Sequence, residues 1–338
     1  MGGCVLLAVS LLAATSVAAV LVLRHSPGED NWRTALLVYG PQWPWAVLPA
    51  LACLLALVTR RPRLAAANAL VLFVALGPVA DFQLPGPAPD VDGERLVRVL
   101  TWNLHGRVVR IEQIREQILK WDPDIVCVQE ARSNDFRELL PGWNHRMAVD
   151  LRIFSRDELS PRRMVPMGIY PARIALECEV QTRAGALTVL NVHFPRAIRR
   201  EGLPRELEPM AEYMQEGMEV RRSKFDHLIQ WLPGGAQHTP DRPLIVAGDM
   251  NTPPASMHYR RLAEHLTDAF AARGLGLGLT FVLRDRWPLL RIDYVWCGGG
   301  VQPVRCWTGD GGPSDHRPVI ADIALPAEAP SGGDAAGD

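Results

Sequence analysis

The sequence predicts a mixed-sheet α/β sandwich behind an N-terminal helical membrane anchor, and three observations carry the prediction. Long uncharged stretches are confined to the first 80 residues. Beyond them, short apolar runs alternate with helical-period segments at first. Later runs follow one another with no helix between, which a purely parallel doubly wound sheet does not do. Finally, acids, amides and histidines recur directly at the ends of those runs.

The uncharged stretches cover residues 3–23, 34–59 and 64–80. A bilayer core takes roughly 20 apolar residues of helix, so each reads as a span. The second carries Gly40, Pro41, Gln42 and Pro44 and is expected to kink there or to start near Trp45. The third holds Asn68 and sits at the short limit of a span. Trp32, Trp43 and Trp45 fall where interfacial aromatics belong. A cleaved signal peptide is the alternative for the first stretch, but no Lys or Arg precedes it and two apolar stretches follow. A buried soluble hairpin is the alternative for the other two, against which their uncharged lengths argue. The loop at 60–63 reads RRPR without an acid, whereas the first loop mixes Arg24 and Arg33 with Glu29 and Asp30. Basic loops stay cytoplasmic. The expectation is an integral protein of the inner (cytoplasmic) membrane, with the lipid bilayer as partner and everything after residue 80 extracytoplasmic.

Residues 1–80 are thus the anchor, 81–93 (DFQLPGPAPDVDG) a linker, 94–325 a catalytic domain and 326–338 a disordered tail. The 338 residues carry 36 Lys+Arg against 37 Asp+Glu, a net charge of −1, which excludes a polybasic nucleic-acid coat. Six cysteines without a CxxC pair exclude a zinc ribbon or thioredoxin-type site. Hydrophobic residues make up 48%, which excludes disordered and collagenous classes.

Within the domain, residues 96–102 are β-branched and apolar up to a polar pair, a buried strand. Ile111, Ile114, Ile118 and Leu119 recur at helical spacing, predicting an amphipathic helix over 109–120 that Pro123 ends. Strands follow at 124–129, 152–155, 174–180 and 187–192. Met214, Met218, Phe225, Leu228, Ile229 and Leu232 share a second helical face. The remaining elements are a strand at 243–247, a helix after Ser256, and strands at 291–296 and 319–325.

Asn103 and Glu130 each follow an apolar run, His193 ends another, Asp249 and Asn251 follow a fourth, Asp293 lies within a fifth, and Asp315-His316 precedes the last. In a layered α/β protein such strand ends face a common edge. Taken singly each has a plainer reading, such as a turn cap for Asn103 or a rim histidine for His193. Asp293 is the exception, because an unpaired buried carboxylate costs several kcal/mol. His316 is its natural partner.

In sequence order, TWNLHG, DIVCVQE, NVHFP, AGDMNTPP, RIDYVW and SDHRPV resemble the motifs of the endonuclease/exonuclease/phosphatase superfamily. That superfamily includes DNase I-like nucleases, exonuclease III-like repair enzymes, inositol-polyphosphate phosphatases and neutral sphingomyelinases. The resemblance runs over residues 96–324. It implies a four-layer sandwich of two mixed β-sheets flanked by helices, and hydrolysis of a phosphate ester with a divalent metal. Matched by position, Glu130 resembles the principal metal carboxylate, with Asn103 and Asp315 close to the metal. Asp249 resembles the residue that orients or deprotonates the attacking water, and Asn251 a donor to phosphate or nucleophile. His316 resembles the histidine facing the phosphate oxygens, Asp293 the acid that holds its tautomer, and His193 a residue beside the scissile phosphate. Arg196 falls where some relatives place a phosphate contact. Oxygen ligands without a thiolate suit Mg²⁺, with Mn²⁺ as the alternative.

The charged segment 196–219 matches no recognition loop, and residues 164–170 (MVPMGIY) read equally as an apolar lip or a plain loop. Three functions stay open at this stage. One is a tethered phosphoesterase whose partner is a phosphate-ester substrate, lipid-linked compounds included. The second is a nuclease, disfavoured by the neutral charge. The third is a non-catalytic binding protein on the same scaffold. No protein partner is evident. Cys297 and Cys306 are open to pairing in an exported domain.

Overall fold

The computed structural model describes residues 2–26, 28–91, 93, 96–106, 111–168, 174–196, 207–232, 242–284 and 286–326. The expected tail beyond 326, and residues 169–170 and 197–206 of the two loop segments singled out above, lie outside the described residues.

The N-terminal part forms helices α1 (Gly2–His25), α2 (Trp32–Tyr39), α3 (Val47–Val58) and α4 (Pro62–Val74), the last continued by a π-helical turn, Ala75–Val79. Gly3–His25 and Pro62–Val79 are long and apolar enough to cross a membrane, whereas Trp32–Tyr39 meets Trp43–Val58 at a 77° bend. The bend falls at Gly40-Pro41, where proline removes a backbone donor and cannot continue a helix. The expected kink in the stretch 34–59 is therefore present, and it divides the stretch into two differently directed pieces. α2 does not lie along the bundle: Ala35, Val38 and Tyr39 pack with Ala255 and Met218 of the following domain. Within the bundle, buried Asn68 donates to Ser10 Oγ at 2.8 Å, a polar tie between apolar helices. Arg24, near the end of α1, donates to the carbonyls of Pro78 and Val79. A Cβ on Gly3 would lie 2.8 Å from Arg61 Nη1. The basic turn at 60–63 thus sits at the opposite end of α1 from the start of the linker.

The domain that follows runs β1 (Leu96–Asn103), α5 (Ile111–Lys120), β2 (Ile125–Gln129), β3 (Asn144–Ala148), β4 (Leu151–Ser155), β5 (Glu158–Leu159), β6 (Arg163–Pro166), β7 (Ile174–Thr182) and β8 (Gly185–His193). It continues with α6 (Leu207–Trp231), β9 (Leu244–Asp249), α7 (Met257–Ala263), β10 (Thr267–Asp268), α8 (Ala269–Arg273), β11 (Phe281–Leu283), β12 (Trp287–Leu290), β13 (Asp293–Gly298), β14 (Gln302–Thr308) and β15 (Val319–Ala324). One sheet has the order β14-β15-β1-β2-β4-β3. The other has the order β10-β13-β9-β8-β7-β5, with β6 also paired to β7. Each holds a single parallel pair, β1 with β2 and β8 with β9, and each pair is joined through a helix. A parallel pair requires such a crossover. It also places both C-terminal strand ends on one edge.

Side chains alternate across each strand. Val97, Val99, Ile125 and Cys127 point between the sheets to meet Val189, Ile245 and Val295, while Leu100, Trp102, Val126 and Val128 point outward onto Ile114 and Ile118 of α5. On the far side Leu190, Val246 and Trp296 meet Phe225 and Leu228 of α6 and Leu262 of α7. These strands are covered on both faces, so they read as continuous apolar runs. The result is the expected four-layer sandwich of two mixed sheets flanked by helices.

The linker is built into this domain. Gln83 and Gly276 exchange backbone hydrogen bonds of 2.8 and 2.9 Å, and Asp81 pairs with the buried guanidinium of Arg291. All six cysteines are thiols, and Cys297 and Cys306 lie in the intersheet core, where burial pushes both well up.

Candidate active site

Parallel and antiparallel pairing together bring the polar strand ends to one edge. His193 lies beside Asp249 in the β8–β9 ladder, and Asp293 lies beside Asp249 in the β9–β13 ladder. Gly248 makes this close approach feasible: its φ is +142°, and a Cβ there would stand 1.9 Å from the Val192 carbonyl oxygen. From the other sheet, Asn103 ends β1 and Glu130 follows β2 directly. The 314–316 turn is pinned to the same place, since Ser314 Oγ donates to the Asn103 carbonyl (2.6 Å) and Trp102 Nε1 to that of His316 (2.9 Å).

Asp249 is the hub and is almost wholly buried. Its Oδ1 accepts the Asn251 amide at 2.8 Å, and its Oδ2 accepts Nδ2 of both Asn103 and Asn251 at 2.9 Å. Three N–H donors fix the carboxylate in one orientation. The Asn103 amide also reaches Glu130 Oε1 at 3.3 Å. Nε2 of His193 stands 3.7 Å from both Glu130 and Asp249. Asp249, Asp293 and His316 can offer ligand atoms within 4.8 Å of one another. The eight residues Asn103, Glu130, His193, Asp249, Asn251, Asp293, Asp315 and His316 therefore share one neighbourhood. Arg196 is half-buried just beyond Pro195 and, among the described residues, makes no hydrogen bond or ion pair with the group.

Both histidines are held by carboxylates. His316 Nδ1 lies 2.9 Å from Asp293 Oδ2, and His193 Nδ1 lies 3.2 Å from Asp150 Oδ2. Burial alone pulls the His316 imidazole down, but Asp293, Asp249 and Asp315 outweigh it and lift its pKa to about 9. Backbone strain collects here as well. His105, Glu130, Val149 and Asn251 have φ of 58°, 57°, 55° and 48°, in the left-handed region that non-glycine residues seldom occupy.

Contributors of three kinds escaped the sequence reading. Asp150 sits in the β3–β4 turn, in a stretch (AVDLR) with no motif, and only tertiary pairing brings it to His193. His105 places Nδ1 3.1 Å from Asp315 Oδ1, while a Cβ on the adjacent Gly106 would lie 3.4 Å from Glu130 Oε2. One turn thereby flanks two of the expected metal carboxylates. Thirdly, two buried arginines brace the backbone behind the site. Arg152 donates to the Ala131 and Ser133 carbonyls just past Glu130 (3.1 and 2.7 Å), and Arg221 holds the backbone on either side of Asn251.

The residues present fit a hard divalent cation. Every ligand near Glu130 and Asp315 is oxygen or imidazole, with no thiolate. Asp293 Oδ1 and His316 Nε2 are buried atoms without a hydrogen-bond partner among the described residues, which is costly unless a further group meets them.

Fold and site together define a four-layer sandwich of the nuclease and phosphatase class. Residues 100–316 match the Endonuclease/Exonuclease/phosphatase family, and the chain belongs to it. Enzymes of this family cleave phosphate esters. The fold is shared with the crystal structure of an endonuclease/exonuclease/phosphatase from Beutenbergia cavernae DSM 12333, at 21% identity, TM-score 0.51, and coverage of 68% of this chain and 72% of that one. A family protein from Bacteroides thetaiotaomicron matches with TM-score 0.54 at 16% identity, over 69% of this chain and 96% of that one. D. rerio TDP2, crystallised with a single-strand DNA product, matches with TM-score 0.53 at 12% identity, over 68% and 99% of the respective chains. Comparison with curated proteins finds no match.

Proposed function

We propose that the chain is a membrane-tethered, divalent-metal-dependent phosphoesterase acting outside the cytoplasm. It hydrolyses a phosphodiester, phosphomonoester or pyrophosphate by water attack, and lipid-linked phosphates fall within its range. The observation that carries this reading is the threefold N–H clamp on Asp249 between two carboxylate-held imidazoles.

Mg²⁺, or Mn²⁺ in its place, would be held by Glu130, Asp315 and Asn103 and would neutralise charge on the phosphoryl group. Asp249, unable to rotate, orients the attacking water and takes its proton. His316 keeps Nδ1 on Asp293 and turns Nε2 toward the phosphate oxygens. Its raised pKa keeps the ring cationic at neutral pH, which suits an oxyanion. His193, held by Asp150, presents Nε2 between Glu130 and Asp249, beside the scissile bond. Asn251 Nδ2, shared between Asp249 and the Phe194 carbonyl (2.9 Å each), fixes the turn that follows the general base. The tether is supported by two helices of spanning length and by the basic turn at the end of the bundle remote from the domain.

The test is hydrolysis by the full chain in detergent, with Mg²⁺, of plasmid DNA, sphingomyelin, a polyprenyl pyrophosphate and a nitrophenyl phosphodiester. Turnover that needs both Mg²⁺ and Asp249, lost by about 10²–10³ in Asp249→Asn, supports the reading. Cleavage of plasmid alone converts it to the nuclease alternative. Absence of turnover on the whole panel leaves a non-catalytic binding protein.

A further inference from the structure

The segment between the first two apolar stretches does more than connect them. Glu29 is buried; its Oε1 accepts the Met257 amide at the start of α7 (2.5 Å) and its Oε2 the Tyr39 hydroxyl (2.6 Å). The Tyr39 ring in turn covers Arg221, whose guanidinium carbon lies 5.0 Å from the ring centroid. Arg221 is 1% exposed. Its Nη1 donates to the Asn251 carbonyl (2.8 Å), the Met250 carbonyl (3.2 Å) and the Thr252 hydroxyl, and its Nη2 donates to the Pro195 carbonyl (2.6 Å). One guanidinium thus ties the turn two residues past His193 to the turn two residues past Asp249. Its outer face is sealed by α2.

We propose that Arg221 is a positioning residue for the active site and that docking of Glu29 and Tyr39 keeps it in place, so that turnover depends on the juxtamembrane helix. This rests on the phosphoesterase reading. A guanidinium holding several carbonyls is rigid only while water is kept from it, because water competes for the same donors. Undocking α2 admits water to Arg221 and loosens the two turns that set the separation of His193 and Asp249. Displacements near 1 Å at such groups cost about a hundredfold in rate.

The experiment uses the full chain in detergent with Mg²⁺ and whichever panel substrate the wild type cleaves. Tyr39→Ala and Arg221→Lys are each expected to lower kcat roughly 10- to 100-fold with KM changed less than about threefold. Tyr39→Phe, which keeps the ring over the guanidinium, is expected to recover kcat to within about threefold. Hydrogen exchange on the same variants supplies a readout apart from activity: Tyr39→Ala is expected to speed exchange at residues 193–196 and 249–256 while leaving β1 and β2 protected. Wild-type kcat and wild-type exchange in Tyr39→Ala overturn the proposal. A wild type that cleaves no panel member removes the phosphoesterase reading instead. The clamp then stands or falls on exchange alone: faster exchange at the two turns supports it, and unchanged exchange overturns it.

Discussion

Nδ1 of His316 lies 2.9 Å from Oδ2 of Asp293, with neither side chain exposed to solvent. This pair fixes which ring nitrogen faces the site. Asp293→Asn keeps the shape and removes the charge that lifts the imidazole. The expected loss in kcat/KM is about 10²–10³, with the far-ultraviolet circular dichroism spectrum unchanged. Activity within threefold of wild type refutes the assigned role.

Asp150 performs the matching task for His193 at 3.2 Å. Asp150→Ala is expected to lower kcat at least tenfold, and the double variant Asp150→Ala/His193→Ala to be little worse than His193→Ala. Additive losses in that cycle would mean that Asp150 acts elsewhere.

Gly248 has no room for a side chain, since a Cβ would penetrate the Val192 carbonyl. Gly248→Ala is expected to destabilise the domain by more than about 3 kcal/mol, read as a lower urea midpoint.

His258 stacks on Phe225 at 5.1 Å between ring centroids and lies 3.7 Å from Glu29. Burial, abetted by Arg221, Arg261 and Arg222 and opposed by Glu29, lowers its pKa from 6.5 to about 4. Here the unfolded chain takes up the proton more readily than the folded one. Stability contributed by neutral His258 is full above pH 6.5 and declines as pH falls toward 4. His258→Phe should flatten this part of the acid limb in urea titrations between pH 4 and 7. An identical limb in the variant would assign the loss to other groups.

The sequence exposed the strands buried on both faces, because covering both faces makes them apolar throughout. It hid β3 and β14, the two edges of one sheet, because edge strands are half solvated and carry residues such as Asn144, Arg146, Gln302 and Arg305. The chemistry at strand ends was legible for residues flanking apolar runs, from Asn103 to His316. Asp150 was not, since its partner is 43 residues away and its own surroundings carry no periodicity. The docking of α2 was not legible for a different reason: hydropathy registers that Ala35 and Val38 avoid water, and is silent on whether lipid or protein shelters them.

The pocket is divided between the two sheets, with Asn103, Glu130 and His316 carried by one and His193, Asp249 and Asp293 by the other. Neither half can assemble it alone. Shear of one layer over the other by a fraction of a residue would separate Asp249 from His316 before any strand unravelled. On the proposed phosphoesterase reading, turnover doubles as a gauge of interlayer registry, and substitutions deep between the layers at Cys127 or Ile245 are expected to abolish it at temperatures where circular dichroism shows the backbone intact.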